Sequence, residues 1–201
     1  MANANVNRED LLALLQKGTY DGTKGELMDY SLYDTWTLAT GDTKYDYFTV
    51  PLNASGKNYS HTNFKLNGQM PLGHAFQVTD IAVYLRLESQ IGTGTGLISE
   101  SDLNNFLFKT VVSFEISGKE SLGIWKLCEL MGQSTLYDTA ESFFTSRNVF
   151  SGKRKLQVPI VIASLTPFKV SAVNYETSGV QSALNDSDLT ISLNGILVRA
   201  S

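Results

Sequence analysis

Phe76-Gln-Val-Thr-Asp-Ile-Ala-Val-Tyr-Leu-Arg-Leu87 decides the fold class of this chain. Phe76, Val78, Ile81, Val83, Leu85 and Leu87 fall mostly at every second position, which puts them on one face of a half-buried strand. Outward from it, the same signal recurs. Tyr45–Val50 alternates aromatic and polar residues and stops at Pro51. Phe106–Ile116 carries Phe108, Val112, Phe114 and Ile116, and Leu156–Ile162 carries Val158, Ile160 and Ile162. Phe168–Val173 and Leu189–Val198 complete the set. All are rich in β-branched and aromatic residues, which fit a pleated surface.

Turn signals separate these runs. Ser-Gly-Lys occurs at Ser55-Gly56-Lys57, Ser117-Gly118-Lys119 and Ser151-Gly152-Lys153, and Asn-Gly at Asn67-Gly68 and Asn194-Gly195. Glycine supplies the positive φ of tight turns and asparagine tolerates it. Uneven spacing argues for hairpins rather than repeats. Asn194-Gly195 reads as a final hairpin or a bulge inside the last strand.

Three segments read as helical. Residues 8–17 form a short amphipathic pattern that Asn7 caps and Gly18 ends. A helix this short is not stable alone, so residues 1–25 read as an N-terminal helical arm and residues 26–201 as one β domain. Ser99-x-x-Asp102 opens one or two turns, and Thr135-x-x-Asp138 resembles a capping box ahead of Leu136, Ala140, Phe143 and Phe144. With no dividing linker, the expectation is one mainly β domain with short helical insertions.

The 201 residues carry 16 Lys plus Arg against 20 Asp plus Glu, a net charge of -4. This balance argues against a basic nucleic-acid binder, so no specific nucleic acid is expected. At 42% hydrophobic the chain is too apolar for disorder. No apolar run reaches a membrane span, and the first residues lack the pattern of a signal peptide. With a single cysteine, Cys128, no intramolecular disulfide forms, which fits assembly in a reducing compartment.

Few motifs point to chemistry. Cys128 reads as a buried structural thiol, and with His61 and His74 it makes no recognisable nucleophile or zinc signature. Asn185-Asp-Ser-Asp188 lacks the glycine and distal glutamate of a calcium loop and reads as a solvated turn. Ile91-Gly-Thr-Gly-Thr-Gly-Leu97, with Glu115 downstream, imitates a dinucleotide fingerprint. Its third glycine is misplaced and its helix starts late and is short, so it reads as a surface loop. Arg147, Lys153, Arg154 and Lys155 are the one basic concentration and read as a solvated hairpin tip. The sequons at Asn53, Asn58 and Asn185 read as chance matches. No cofactor, metal or catalytic set is expected. Tyr20, Tyr30, Tyr33, Tyr45, Tyr47, Tyr59 and Trp36 interleave with Asp29, Asp34, Asp42 and Asp46. That pattern supports either strand packing or a glycan-binding face, since rings offer flat apolar contact and carboxylates accept hydroxyl hydrogen bonds. A hydrolase with converging carboxylates remains a third reading, although nothing selects a pair.

The last third, Leu156-Gln-Val-Pro-Ile-Val-Ile162, Thr166-Pro-Phe-Lys-Val170 and Leu189-Thr-Ile-Ser-Leu-Asn-Gly-Ile-Leu-Val-Arg199, resembles the ends of phage virion proteins. More loosely, the chain resembles the single jelly-roll capsid proteins of icosahedral bacterial and archaeal viruses. That resemblance implies an antiparallel β-sandwich of jelly-roll type that builds a shell without turnover. It implies a homo-oligomer formed through strand edges and the N-terminal arm, alongside other virion proteins. The location implied is the virion, assembled in the host cytoplasm. The alternative is a carbohydrate-binding or receptor-binding β-sandwich module.

Overall fold

The computed structural model describes residues 25–88, 98–118, 122–131 and 149–200. Eight antiparallel strands make two four-stranded sheets. In chain order they are β1 (Gly25–Thr37), β2 (Lys44–Tyr47), β3 (His74–Arg86), β4 (Thr110–Ile116), β5 (Gly123–Lys126), β6 (Val149–Ile162), β7 (Phe168–Asn174) and β8 (Asp188–Ala200). Helix α1 spans Glu100–Lys109 and the single turn α2 spans Leu127–Leu130.

The pairing is nested. β1 pairs with β8, β2 with β7, β3 with β6 and β4 with β5. The chain is thus one long antiparallel ribbon doubled back on itself, with its closed end at the β4–β5 turn. Two further pairings, β3 with β8 and β4 with β7, knit the ribbon into sheets ordered β1-β8-β3-β6 and β2-β7-β4-β5. Ser117 (φ 55°) and Gly118 (φ 67°), both left-handed, follow directly on the end of β4.

Both sheets feed one core. The first contributes Leu32, Phe76, Ile81, Val83, Leu85, Leu189, Ile191 and Leu193. The second contributes Tyr45, Tyr47, Val112, Phe114, Val170 and Ala172. Phe168 stands at the centre of an aromatic group, with ring centroids 5.7 Å from Phe48, 5.3 Å from Phe64 and 6.2 Å from Phe114. The sandwich arrangement follows from the period-two pattern, which gives each sheet one apolar face to bury.

Several expectations need correction. Phe106 and Phe108 belong to α1, and β4 begins only at Thr110. The Ser99 hydroxyl caps the helix by accepting from the Asp102 amide at 3.1 Å. Leu103, Phe106 and Leu107 then bury at helical spacing while Phe108 faces out. Ser151-Gly152-Lys153 is not a turn but lies inside β6. Glycine is needed there because an added Cβ would sit 2.1 Å from the Met131 backbone. Val158 is 78% exposed rather than alternating into the core. The β3–β6 register jumps from Asp80↔Lys155 to Val78↔Ile160, so the intervening β6 residues leave the ladder. Pro159 falls in that stretch, on an edge strand that tolerates its missing donor. β1 and β5 were not legible as strands. The helix at residues 8–17, the arm at residues 1–25 except Gly25 (Tyr20 with it), the glycine loop 91–97, Lys119, the helix from Thr135 and Arg147 lie outside the described residues.

Candidate functional site

A concavity lies on the outer face of the first sheet, where β3 bulges. Thr79 is the extra residue between Val78 and Asp80, and the β3–β8 register shifts across it. Opposite the bulge stands Gly195, where an added Cβ would lie 1.8 Å from the Gln77 carbonyl oxygen. Bulges bend a strand and re-aim side chains, and this one opens a groove of about 540 Å³ bordered by Asp29 and Tyr30 on one side and Lys153 on the other.

A polar chain floors the groove. The Asn194 amide donates to Asp80 Oδ1 at 2.6 Å, and Lys153 Nζ lies 3.2 Å from Asp80 Oδ2. Thr79 donates to the Asn194 carbonyl at 3.2 Å. Ser192 donates to Asn194 Oδ1 at 3.1 Å, and Ser31 donates to the same oxygen. This rung links all four strands of the sheet. The Asp29 carboxylate remains exposed beside it. Burial raises the Tyr30 hydroxyl above its ordinary pKa, and Tyr33 and Tyr59 add to the effect.

A second polar cluster is buried. Asp34 is fully enclosed on the inner face of β1, and Lys57 reaches it from the long β2–β3 loop at 2.6 Å. Asp34 Oδ2 accepts from the Phe48 amide at 2.6 Å, and Oδ1 accepts from the Thr35 amide at 3.1 Å. Lys57 Nζ also lies 4.2 Å over the Trp36 ring, a cation–π contact. Burial pushes the Asp34 carboxyl up, and Lys57 and the two amides offset this only in part. The chain is turned toward this cluster by Phe48 (φ 63°), Ser55 (φ 49°) and Gly56 (φ 78°). Farther along, Asn63 Oδ1 accepts from the Tyr33 amide at 3.0 Å, and its amide donates to the Ser31 carbonyl at 2.7 Å. Asp34 and Lys57 therefore act as an anchor for the loop.

The aromatic and acidic residues of the N-terminal third do not share one face. Tyr45 and Tyr47 are core residues, and Tyr47 donates to the Leu189 carbonyl at 3.2 Å. Trp36 packs against the core and donates to the Asp46 carbonyl at 3.0 Å. Asp46 lies on the outer face of the other sheet. There burial alone would raise its carboxyl, but the Ser171 hydroxyl and the Lys44 and Lys169 ammoniums hold it below the usual value. Only Asp29 and Tyr30 line the groove. Tyr59 is exposed, its carbonyl accepting from Tyr33 at 2.5 Å.

The remaining candidates have local partners. Lys153 and Arg154 lie along β6 rather than on a hairpin tip, and Arg154 lies 3.7 Å from Glu129. Cys128 is half-buried on α2. His61 accepts from the Asn58 amide at 3.4 Å, and His74 contacts the Leu72 carbonyl at 3.1 Å. Glu115 pairs with Lys169 at 3.2 Å. Asn185 accepts from the Thr40 amide at 3.1 Å, and Asp188 pairs with Arg86 at 2.7 Å. Among the described residues no three His, Cys, Asp or Glu side chains gather to hold a metal ion, and no helix is long and apolar enough to cross a membrane. The reading by sequence missed Asp80, Asn194 and Ser31 as partners, because they meet only through the β1–β8–β3 register.

No protein-family model matches the chain, and no curated protein matches it.

Proposed function

We propose that this chain is a structural subunit of a virion, a jelly-roll protein whose copies assemble into a shell without catalytic turnover. The nested pairing carries this reading. A ribbon whose first strand pairs with its last, and so on inward, yields β1-β8-β3-β6 facing β2-β7-β4-β5 when rolled up. Two four-stranded antiparallel sheets with loops at both ends are the jelly-roll arrangement, which is widespread in viral capsids and also in lectins. Fold alone does not select between those uses. The resemblance of residues 156–199 to the ends of phage virion proteins favours the shell. In this reading the residue 1–25 arm ties a subunit to its neighbours, and the site of residence is the virion assembled in the host cytoplasm. Light scattering across protein concentration and salt tests it. Discrete multi-subunit species are expected, and a monomer under every condition would remove the reading.

The groove favours one second reading, a contact with glycan. Asp29 and Tyr30, two members of the aromatic and acidic set, line it together with Asp80 and Lys153. Carboxylates and an ammonium suit a polyhydroxylated ligand. A broad glycan array repeated with Asp29→Ala and Lys153→Ala distinguishes it. Signal lost in both variants supports glycan binding, and a silent array counts against it.

A further inference from the structure

The outer face of the first sheet changes character along its length. Register places Ser31, Asn194 and Asp80 on one outward row, with Ser192, Thr35 and Thr190 farther along. This part is polar, as the solvent side of an antiparallel sheet ordinarily is. Toward the end where β1 begins, the same face turns apolar. Leu27, Val198 and Ala75 form one row across β1, β8 and β3, and Ile196 and Val161 flank Gln77 in the next.

Val198 and Ala75 are buried, yet neither belongs to the core between the sheets, which takes the adjoining Leu197 and Phe76 instead. Gln77 beside them is buried too. Side chains of one sheet face stand beside one another rather than over one another. A central valine closed to water on that face therefore has a further layer above it.

Topology selects the source of that layer. Residues 89–97 follow the far end of β3, and residues 132–148 lead into the far end of β6, where Val149 pairs with Arg86. Residues 119–121 join β4 to β5 in the second sheet. Of the longer segments outside the description, only residues 1–24 lead into the apolar end, entering β1 two residues before Leu27. That segment carries a matching surface. At helical spacing Leu11, Leu12, Leu14 and Leu15 share one face, with Glu9, Asp10 and Gln16 on the other. A helix over residues 8–17 would be about 15 Å long. Residues 18–24 reach up to about 23 Å, and β1, β8 and β3 together lie within about 10 Å. A helix this short forms only when its apolar face is packed.

We propose that the leucine face of residues 8–17 seats on the outer face of the first sheet of its own copy, over Leu27, Val198 and Ala75. An arm seated in this way is free to exchange onto a neighbour during assembly, so the inference stands apart from the shell reading.

Amide hydrogen exchange of the full chain in dilute solution, read by mass spectrometry, tests the seat. Residues 8–17 are expected to exchange at least about tenfold more slowly in wild type than in Leu11→Ser/Leu15→Ser. Val198→Thr keeps the shape and β-branching of the strand residue but sets a hydroxyl in the seat. It is expected to speed exchange of residues 8–17 in the same direction. Circular dichroism of each variant checks that the sandwich is kept. A photoreactive benzophenone side chain at position 14 then locates the contact. Cross-links to peptides carrying Leu27, Ala75 or Val198 are expected, within single copies only when isotopically light and heavy chains are mixed. Equally fast exchange of residues 8–17 in wild type and both variants would overturn the proposal. Cross-links that map elsewhere, or that join light to heavy chains, would overturn it as well.

Discussion

Lys57 Nζ sits 2.6 Å from Asp34 Oδ1 in a site where Asp34 is fully buried and Lys57 is 8% exposed. The pair joins the inner face of β1 to a loop residue 23 positions later. Two charges removed from water stabilise a fold only when matched, and removing one leaves the other stranded. Lys57→Met is therefore expected to cost about 3–5 kcal/mol in urea unfolding. Asp34→Asn combined with Lys57→Met is expected to recover part of that loss, since neither charge then stays buried alone. A double-variant loss equal to the sum of the losses of Lys57→Met and Asp34→Asn taken singly would show that the pair is not coupled.

Phe168 touches three other aromatic rings and is 4% exposed. Its ring bridges the start of β7, the residue after β2 and the long loop. Phe168→Ala is expected to destabilise by about 3–5 kcal/mol, the usual cost of emptying a buried aromatic site. Phe108→Ala, on the exposed side of α1, is expected to change stability by less than about 0.5 kcal/mol. Chemical denaturation of both variants checks the contrast.

Thr110 gives an expectation of opposite sign. It is 2% exposed, and its Oγ1 has no hydrogen-bond partner among the described residues. Thr110→Val keeps the shape and the β preference and removes an unmet polar group. It is expected to raise stability by about 1 kcal/mol. A fall in the melting temperature would show that the hydroxyl is satisfied.

Tyr45 sets an alkaline limit. Burial raises its pKa from 10.0 to about 12, the Ala39 backbone pulls it down in part, and Asp42 adds to the rise. The folded state holds this proton more tightly than the unfolded state does. The resulting stabilisation is fully present below pH 10 and is lost as pH rises toward about 12. Melting temperatures across that range are expected to fall more steeply for wild type than for Tyr45→Phe. Parallel curves would assign the alkaline loss to other groups.

What was legible in the sequence follows from where its pattern is local. β3 and β8 are central strands whose inward residues are nearly all apolar, so alternation announces them. β1 escapes because its inward series Met28, Tyr30, Leu32, Asp34, Trp36 contains a charge. Only Lys57, far along the chain, makes that charge acceptable. Ser151-Gly152-Lys153 reads as a turn because glycine is ambiguous between positive φ and close approach. The Met131 backbone decides for close approach, and no local pattern reveals it. The groove was half legible. Asp29 and Tyr30 were singled out, but Asp80, Asn194 and Ser31 join them through strand register, which a sequence does not display.

The most direct test of the shell role is electron microscopy of the full-length chain after sedimentation at high concentration. Rings or closed shells built from one repeating subunit are expected. A single slow species that images only as isolated monomers would contradict the role and leave the groove as the place to seek function.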